Sequence, residues 1–149
     1  MISASYSEGY DAMKDVLPIR ELVFVNEQGM HRDDVTDALD DVAIHVVAYE
    51  GHQPVGAGRL IPSPQGYSIG KIAVIKEKRK KYYGDLIVRM LIQKGFDLGA
   101  KTIMVHAQHQ AIPFYETIGF EAVGEVYERQ AMKCRDMILK KDKIRKKCH

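Results

Sequence analysis

Two stretches of this chain carry residues whose types and spacing could do chemistry. The first is basic, Lys76-Glu77-Lys78-Arg79-Lys80-Lys81, and runs into Tyr82-Tyr83-Gly84-Asp85. It separates the apolar run Ile72-Ala73-Val74-Ile75 from a stretch, Leu86 to about Leu98, whose apolar residues recur at helical spacing. Where a helix begins, backbone N–H groups lack partners and the helix dipole is positive, so an anion, often a phosphate, is favoured there. The second is Ala111-Ile112-Pro113-Phe114-Tyr115, which opens a further short helix and presents a phenol able to give or accept a proton. Read alone, the basic run also fits a solvated turn and Tyr115 a core aromatic with a satisfied hydroxyl. His106-x-x-His109 has no third ligand at useful spacing, so no metal site is expected.

The elements that must position these groups follow from periodicity. Ile2, Ala4 and Tyr6 alternate with serines, which predicts a first strand with one buried face. From about Asp11 to Val25 the apolar spacing turns helical, with Pro18 as a kink or restart. The segment 31–41 is acidic and poorly periodic and reads as a solvated loop with a short helical turn; its carboxylates could draw in a cationic amine. Val42 to Glu50, Val55 to Ile61 and Tyr67 to Ile75 predict a three-stranded meander, turned at Gly51-His52 and at 62–66. Thr102 to His106 is a further strand; a helix between it and Lys71–Ile75 implies a parallel pair with a right-handed crossover. Gly99 and Gly119 suit C-terminal helix caps. Ala122 to Tyr127 and Ala131 to Leu139 read as two closing strands.

Composition sets the limits. With 149 residues, 46% hydrophobic and 28% charged, the chain fits a single domain over 1–139 and a basic tail over 140–149, read as solvated and mobile. There is no run of about 18 apolar residues, so no membrane span is expected. Met1–Tyr6 lacks the basic and apolar regions of a signal peptide. Cys134 and Cys148 lack metal-type spacing, and free thiols in a reducing, cytoplasmic setting are the simpler reading, Cys134 as a buried inert thiol. The net charge of +2 does not argue for nucleic acid.

The stretch from Lys71 to Phe120 resembles motifs A and B of the GNAT superfamily, the acyl-CoA-dependent N-acetyltransferases. The family carries Arg/Gln-x-x-Gly-x-Gly/Ala between strand and helix; Arg79 and Gly84 match its ends, and Tyr82 stands at its first glycine. It then shows Asn-x-x-Ala-x-x-Phe-Tyr-x-x-x-Gly-Phe; Ala111, Phe114, Tyr115, Gly119 and Phe120 match, with Gln108 at the Asn position. Val23-Phe24-Val25-x-Glu27-Gln28, the acidic loop, His45 and His106-Ala107-Gln108 resemble the small ElaA-like bacterial branch. Where that branch shows Glu-x-Gly-Ile-x-His, this chain has Glu128-Arg129-Gln130-Ala131-Met132-Lys133-Cys134.

The resemblance implies an α/β fold: a mixed, mostly antiparallel sheet of six or seven strands, helices on both faces, and a central parallel pair that splays to accept acetyl-CoA. It implies that the turn Arg79, Lys80, Lys81, Tyr82, Tyr83, Gly84 and Asp85 holds the CoA diphosphate. Ile72, Ala73 and Val74 would contact the pantetheine arm through backbone, with the Val74 N–H polarising the thioester carbonyl. Gln108, Ala111 and Phe114 would complete the cofactor wall, and Tyr115 would protonate the leaving thiolate. Glu27, Asp41, His45 and His106 are expected near the acceptor, and any of them, or a water they hold, could be the base that takes the proton of an amine with a pKa of roughly 10. A tyrosine at position 82 costs on the order of 1–2 kcal/mol if that position needs positive φ, and its ring could block the phosphates.

The activity implied is transfer of acetyl from acetyl-CoA to a primary amine of a small molecule or peptide, by direct attack in a ternary complex. A rival of another class keeps the fold and drops catalysis: an acyl-CoA-binding or regulatory module, which would bind without turnover. A third, nucleic-acid binding through Lys140–Lys147, predicts steep salt dependence and loss on tail deletion. A homodimer is left open.

Overall fold

The computed structural model describes residues 1–64 and 66–146. Seven strands form one sheet: β1 (Ile2–Glu8), β2 (Ile44–Glu50), β3 (Gln53–Ser63), β4 (Gly66–Val74), β5 (Thr102–Gln108), β6 (Glu121–Arg129) and β7 (Met132–Lys140). Their order is β1-β2-β3-β4-β5-β7-β6, and only β4 and β5 pair in parallel. The helix between those two, α2 (Tyr83–Asp97), is the crossover. The expected mixed sheet is therefore present with seven strands. Gln65, expected in the turn before β4, and the tail end Lys147–His149 lie outside the described residues.

The parallel pair is short. Tyr67, Ser68 and Ile69 lie opposite Ile103, Met104 and Val105, and there the pairing stops. Beyond that point β4 stays with β3 and β5 stays with β7, so the sheet forks. A bulge in β4 helps turn it away. Ala57 faces Ala73 and Arg59 faces Gly70, which leaves Lys71 and Ile72 opposite Gly58, with Lys71 at φ +49°.

Helices cover both faces. A Cβ on Gly58 would lie 2.5 Å from Ile72 Cδ1 and 2.9 Å from Ile87 and Leu91, so α2 packs directly on that side of β3. The opposite face carries α1 (Met13–Arg20), which runs on through Pro18 into a wide π-helical turn, Glu21–Glu27. Between the layers Val16, Val46, Ile87, Val88, Leu91, Ile103, Ile118, Met137 and Leu139 are fully buried.

Three sequence expectations need correction. Segment 31–41 is not simply solvated. Arg20, fully buried on α1, donates to both Asp40 oxygens at 2.9 Å and to the Val35 carbonyl at 2.9 Å. Arg59 of β3 donates to Asp40 at 2.9 Å and to the two Asp37 oxygens at 2.6 and 2.9 Å. Buried guanidiniums need buried counter-charge, and the loop folds into 3₁₀ turns to deliver it. Second, β1 is an edge strand with no wholly buried face; Ile2 and Tyr6 are exposed, and the Tyr6 hydroxyl reaches the Met90 carbonyl of α2 at 2.8 Å.

Third, the tail up to Arg145 has exposed side chains but a held backbone. Arg145 N–H donates to the Ile118 carbonyl at 2.7 Å, and Arg89 donates to the Arg145 carbonyl at 2.6 Å. This seats it over the C-terminus of α3 (Ile112–Ile118). Gly119, at φ +122°, is required there: a Cβ would lie 2.1 Å from the Lys143 carbonyl oxygen.

Candidate active site

The fork opens into a cavity of about 850 Å³. Its floor is the free edge of β4 from Gly70 to Val74. The start of α2 forms one end and Phe114 and Tyr115 of α3 one side. Val23, Phe24, Glu27 and Gln28 of the π turn close over it from the other face, opposite His106 and Gln108 of β5. Every residue singled out for cofactor or catalysis lines this cavity except Lys81. Of the further acceptor-side candidates, His45 is fully buried behind the Asp40 carbonyl at 3.1 Å, and Asp41 is exposed outside the cavity.

The β4 edge presents backbone. Ile75 N–H bonds the Val55 carbonyl at 3.0 Å, and Ala73 lies opposite Ala57, so by antiparallel alternation the Val74 peptide groups turn away from β3 toward the fork. The Val74 carbonyl accordingly accepts from Arg79 Nε at 3.0 Å.

At the start of α2, Tyr82 takes the left-handed conformation at φ +68° and makes no side-chain cap. The strain anticipated from sequence is therefore present, but the residue is 64% exposed and borders the cavity rather than filling it. Lys80 is also left-handed, at φ +64°. Alternation of this kind makes successive N–H groups converge on one point, an anion-binding nest.

The cations of this turn are not equivalent. Lys78 and the buried Tyr83 both bond Glu50, at 2.7 Å each. Arg79 forms a two-pronged ion pair with Glu27 at 2.5 Å, tying the turn to the π turn across the cavity mouth. That hydrogen bonding holds the Glu27 carboxyl below its usual range. Lys80 and Lys81 have no ion-pair partner among the described residues.

Tyr115 is only 5% exposed, its ring edge-on to Phe114 at 5.1 Å and Phe120 at 5.4 Å between centroids. Burial alone pushes its phenol well above the ordinary tyrosine range. At this site it is a proton holder, suited to give its proton only to a strong base formed beside it.

On the opposite wall, His106 is 39% exposed and Nδ1 lies 2.6 Å from Asp136 Oδ1 of β7 and 2.9 Å from the Tyr127 hydroxyl of β6. The Tyr127 hydroxyl also donates to Asp136 Oδ1, at 2.5 Å. Burial would raise the Asp136 carboxyl, but the bonds from Tyr127 and His106 outweigh it and hold it low. A carboxylate kept ionised against Nδ1–H fixes the tautomer that leaves the Nε2 lone pair available.

Sequence reasoning missed Tyr127 and Asp136. Their one signal is spacing across a predicted hairpin, and nothing in it says which strand that hairpin joins. It also missed Lys71, whose side chain lines the cavity from the bulge.

A sheet split at its one parallel pair among the described residues, with a helix start opening onto the split, defines the class: a GNAT fold. Residues 23–141 match the model of the acetyltransferase (GNAT) domain, and the chain belongs to that family. It is 33% identical over 124 residues, 83% of this chain and 89% of the relative, to the Bacillus subtilis protein named "Uncharacterized N-acetyltransferase YjcF". Among solved structures it resembles Escherichia coli ElaA, with a TM-score of 0.81 at 22% identity, covering 93% of this chain and 99% of that one. It also resembles a Brucella melitensis GNAT acetyltransferase crystallised with acetyl-CoA, with a TM-score of 0.70 at 16% identity over 90% and 86% of the two chains.

Proposed function

We propose that the protein is an acyl-CoA-dependent N-acetyltransferase that moves acetyl from acetyl-CoA to a primary amine of a small molecule or peptide, by direct attack in a ternary complex. The observation that carries this reading is one cavity in which the free β4 edge, the start of α2, the Tyr115 phenol and the Asp136-held His106 all meet. Acetyl-CoA as the donor is supported by the acetyl-CoA-bound fold neighbour and by the converging N–H groups around Lys80 to Gly84.

In this reading the nest and the first turn of α2 take the diphosphate, and Arg79 exchanges Glu27 for phosphate oxygens. The β4 edge aligns the pantetheine arm, and the Val74 N–H stabilises the oxyanion of the tetrahedral intermediate. His106 Nε2 accepts the proton of the attacking amine. The C–N bond forms, the C–S bond breaks, and Tyr115 gives its proton to the departing thiolate. His106 serves better than Glu27 as base, because Asp136 holds its Nδ1 and so orients the ring, a support independent of the Arg79 exchange. The free thiol of Cys134 fits a cytoplasmic setting.

The test is thiol release from acetyl-CoA against a panel of polyamines, aminoglycosides and amino acids. Amine-dependent release that falls in Tyr115→Phe is expected. Binding of acetyl-CoA without turnover on the panel, and no effect of Tyr115→Phe, would leave only a CoA-binding module.

A further inference from the structure

The acceptor half of the cavity contains one cation that nothing in the mechanism uses. Lys71 occupies the extra position of the β4 bulge, and its side chain is half-buried against the cavity. Its Nζ donates to one neutral acceptor, the Asp34 carbonyl, at 3.1 Å. Among the described residues no carboxylate forms an ion pair with it. Asp37 and Asp40, the acids whose charge acts on it, are already engaged by Arg59 and Arg20. Burial, then the two arginine charges, hold the Lys71 ammonium down to about 8. An ammonium has three N–H donors, so two remain beyond the Asp34 carbonyl on a residue that lines the cavity.

The position of Lys71 relative to the base is set by the sheet. Strand pairing ends at Ile69 opposite Val105; His106 is the next residue of β5, and Lys71 is two residues further along β4. Both side chains leave the same face. Lys71 reaches Asp34 on the α1 side, and His106 alternates with Ile103 and Val105, whose side faces α2, because a Cβ on Gly95 would meet Ile103. Val23 and Phe24 of the π turn supply apolar wall to the same cavity.

We infer that Lys71 is a carboxylate subsite for the acceptor, so that the amine acetylated belongs to an amino-acid-like molecule with an acid group near the nitrogen. This rests on the acyl-transfer reading above and names the substrate class of that site. A lone ammonium beside a backbone carbonyl suits one carboxylate; a phosphate dianion calls for an arginine fork or several amides. A polyamine would bring further positive charge against Lys71, Arg59 and Arg20.

The experiment compares leucine with leucinamide, methionine with methioninamide and β-alanine with β-alaninamide on the wild type, Lys71→Met and Lys71→Arg. The expected wild-type preference for the acids is about ten- to a hundredfold in kcat/KM, the worth of one charge-assisted hydrogen bond. Lys71→Met should erase it through KM of the acids alone, and Lys71→Arg should restore part of it. Amides that match or exceed the acids in the wild type would overturn the assignment. So would an equal kcat loss on acids and amides in Lys71→Met, which would make Lys71 chemical or structural. A preference for succinyl-CoA over acetyl-CoA that Lys71→Met abolishes would place the carboxylate on the donor and overturn it as well. If no amine turns over, equilibrium binding of leucine with CoA present decides separately. Binding lost in a folded Lys71→Met supports the subsite although acyl transfer fails, and no binding to the wild type overturns it.

Discussion

The two walls of the forked cavity are built by different means. The wall of β4, the start of α2 and Phe114-Tyr115 works mainly through backbone: a turned-out Val74 peptide, left-handed Lys80 and Tyr82, and a helix start. The wall of the π turn and β5, backed by the 31–41 loop and the β7–β6 hairpin, works through side chains that find each other over long separations, Arg20 with Asp40 and His106 with Asp136. Backbone geometry tolerates exchange of side chains, as the tyrosine at position 82 demonstrates. A side-chain network does not, since removing one member strands another. The first wall should therefore be robust in stability and sensitive in donor binding, and the second the reverse for its buried part.

The largest effect is expected at Asp40. Asp40→Ala leaves Arg20, and one contact of Arg59, without buried counter-charge and should cost about 3–5 kcal/mol in urea unfolding. Burial acts to raise the Asp40 carboxyl, yet the Arg20 bonds and charge prevail and hold it at about 2, below its ordinary 3.8. A folded-state pKa lower than the unfolded one gives stability that is complete above about pH 4 and disappears as pH falls toward 2. His45 in the same cluster is held low by burial and then by the Arg20 charge. Its contribution is complete above about pH 6.5 and disappears as pH falls through the lowered value. Wild-type stability should thus drop in two stages on acidification, and Asp40→Asn should remove the lower one. A stability flat from pH 7 to pH 3 would break the comparison, because the acceptor wall would then not be held by charge.

Next comes His106→Gln, expected to lower kcat by about 10²–10⁴ with little change in unfolding. Asp136→Asn should give a smaller loss of kcat with KM unchanged, as a positioning residue would. If Asp136→Asn lowers the melting temperature as much as it lowers kcat, the carboxylate is structural. Tyr115→Phe keeps the ring that packs on Phe114 and Phe120, so stability should hold while kcat falls by about 10². Unchanged kcat would return Tyr115 to the role of core aromatic.

The same contrast explains what could be read from the chain. The strand, basic turn and helix from Lys71 to Leu98 announce themselves through local spacing, and Phe114-Tyr115 with Gly119-Phe120 is a compact signature, so the fold and the donor wall were legible. The fork was implied by the family resemblance alone; its exact place was not legible, because it depends on where pairing stops, between Ile69 and Gly70, and on a bulge at a lysine that the alternation of apolar residues does not mark. Asp37 and Asp40 were indistinguishable from Asp33, Asp34 and Asp41, for only the arginines from α1 and β3 select them. Tyr127 and Asp136 meet His106 only because β7 inserts between β5 and β6.

The smallest expected effect separates the walls most cleanly. A Cβ on Gly84 would meet Phe114 and Val74 at 3.9 Å each, ordinary contact, so the fold does not require glycine there. Alanine is also the better helix former, by up to about 1 kcal/mol in a helix interior. Gly84→Ala should therefore leave the melting temperature unchanged or slightly higher. The added methyl projects where the first turn of α2 borders the cavity, and it should weaken acetyl-CoA binding about tenfold, roughly 1.4 kcal/mol, by calorimetry. Loss of affinity without loss of stability, on a change that removes no side chain, is the pattern a ligand-facing backbone produces. If affinity holds, the diphosphate is gripped by the side chains of Lys80 and Arg79, and the donor wall works by the same means as the wall it faces.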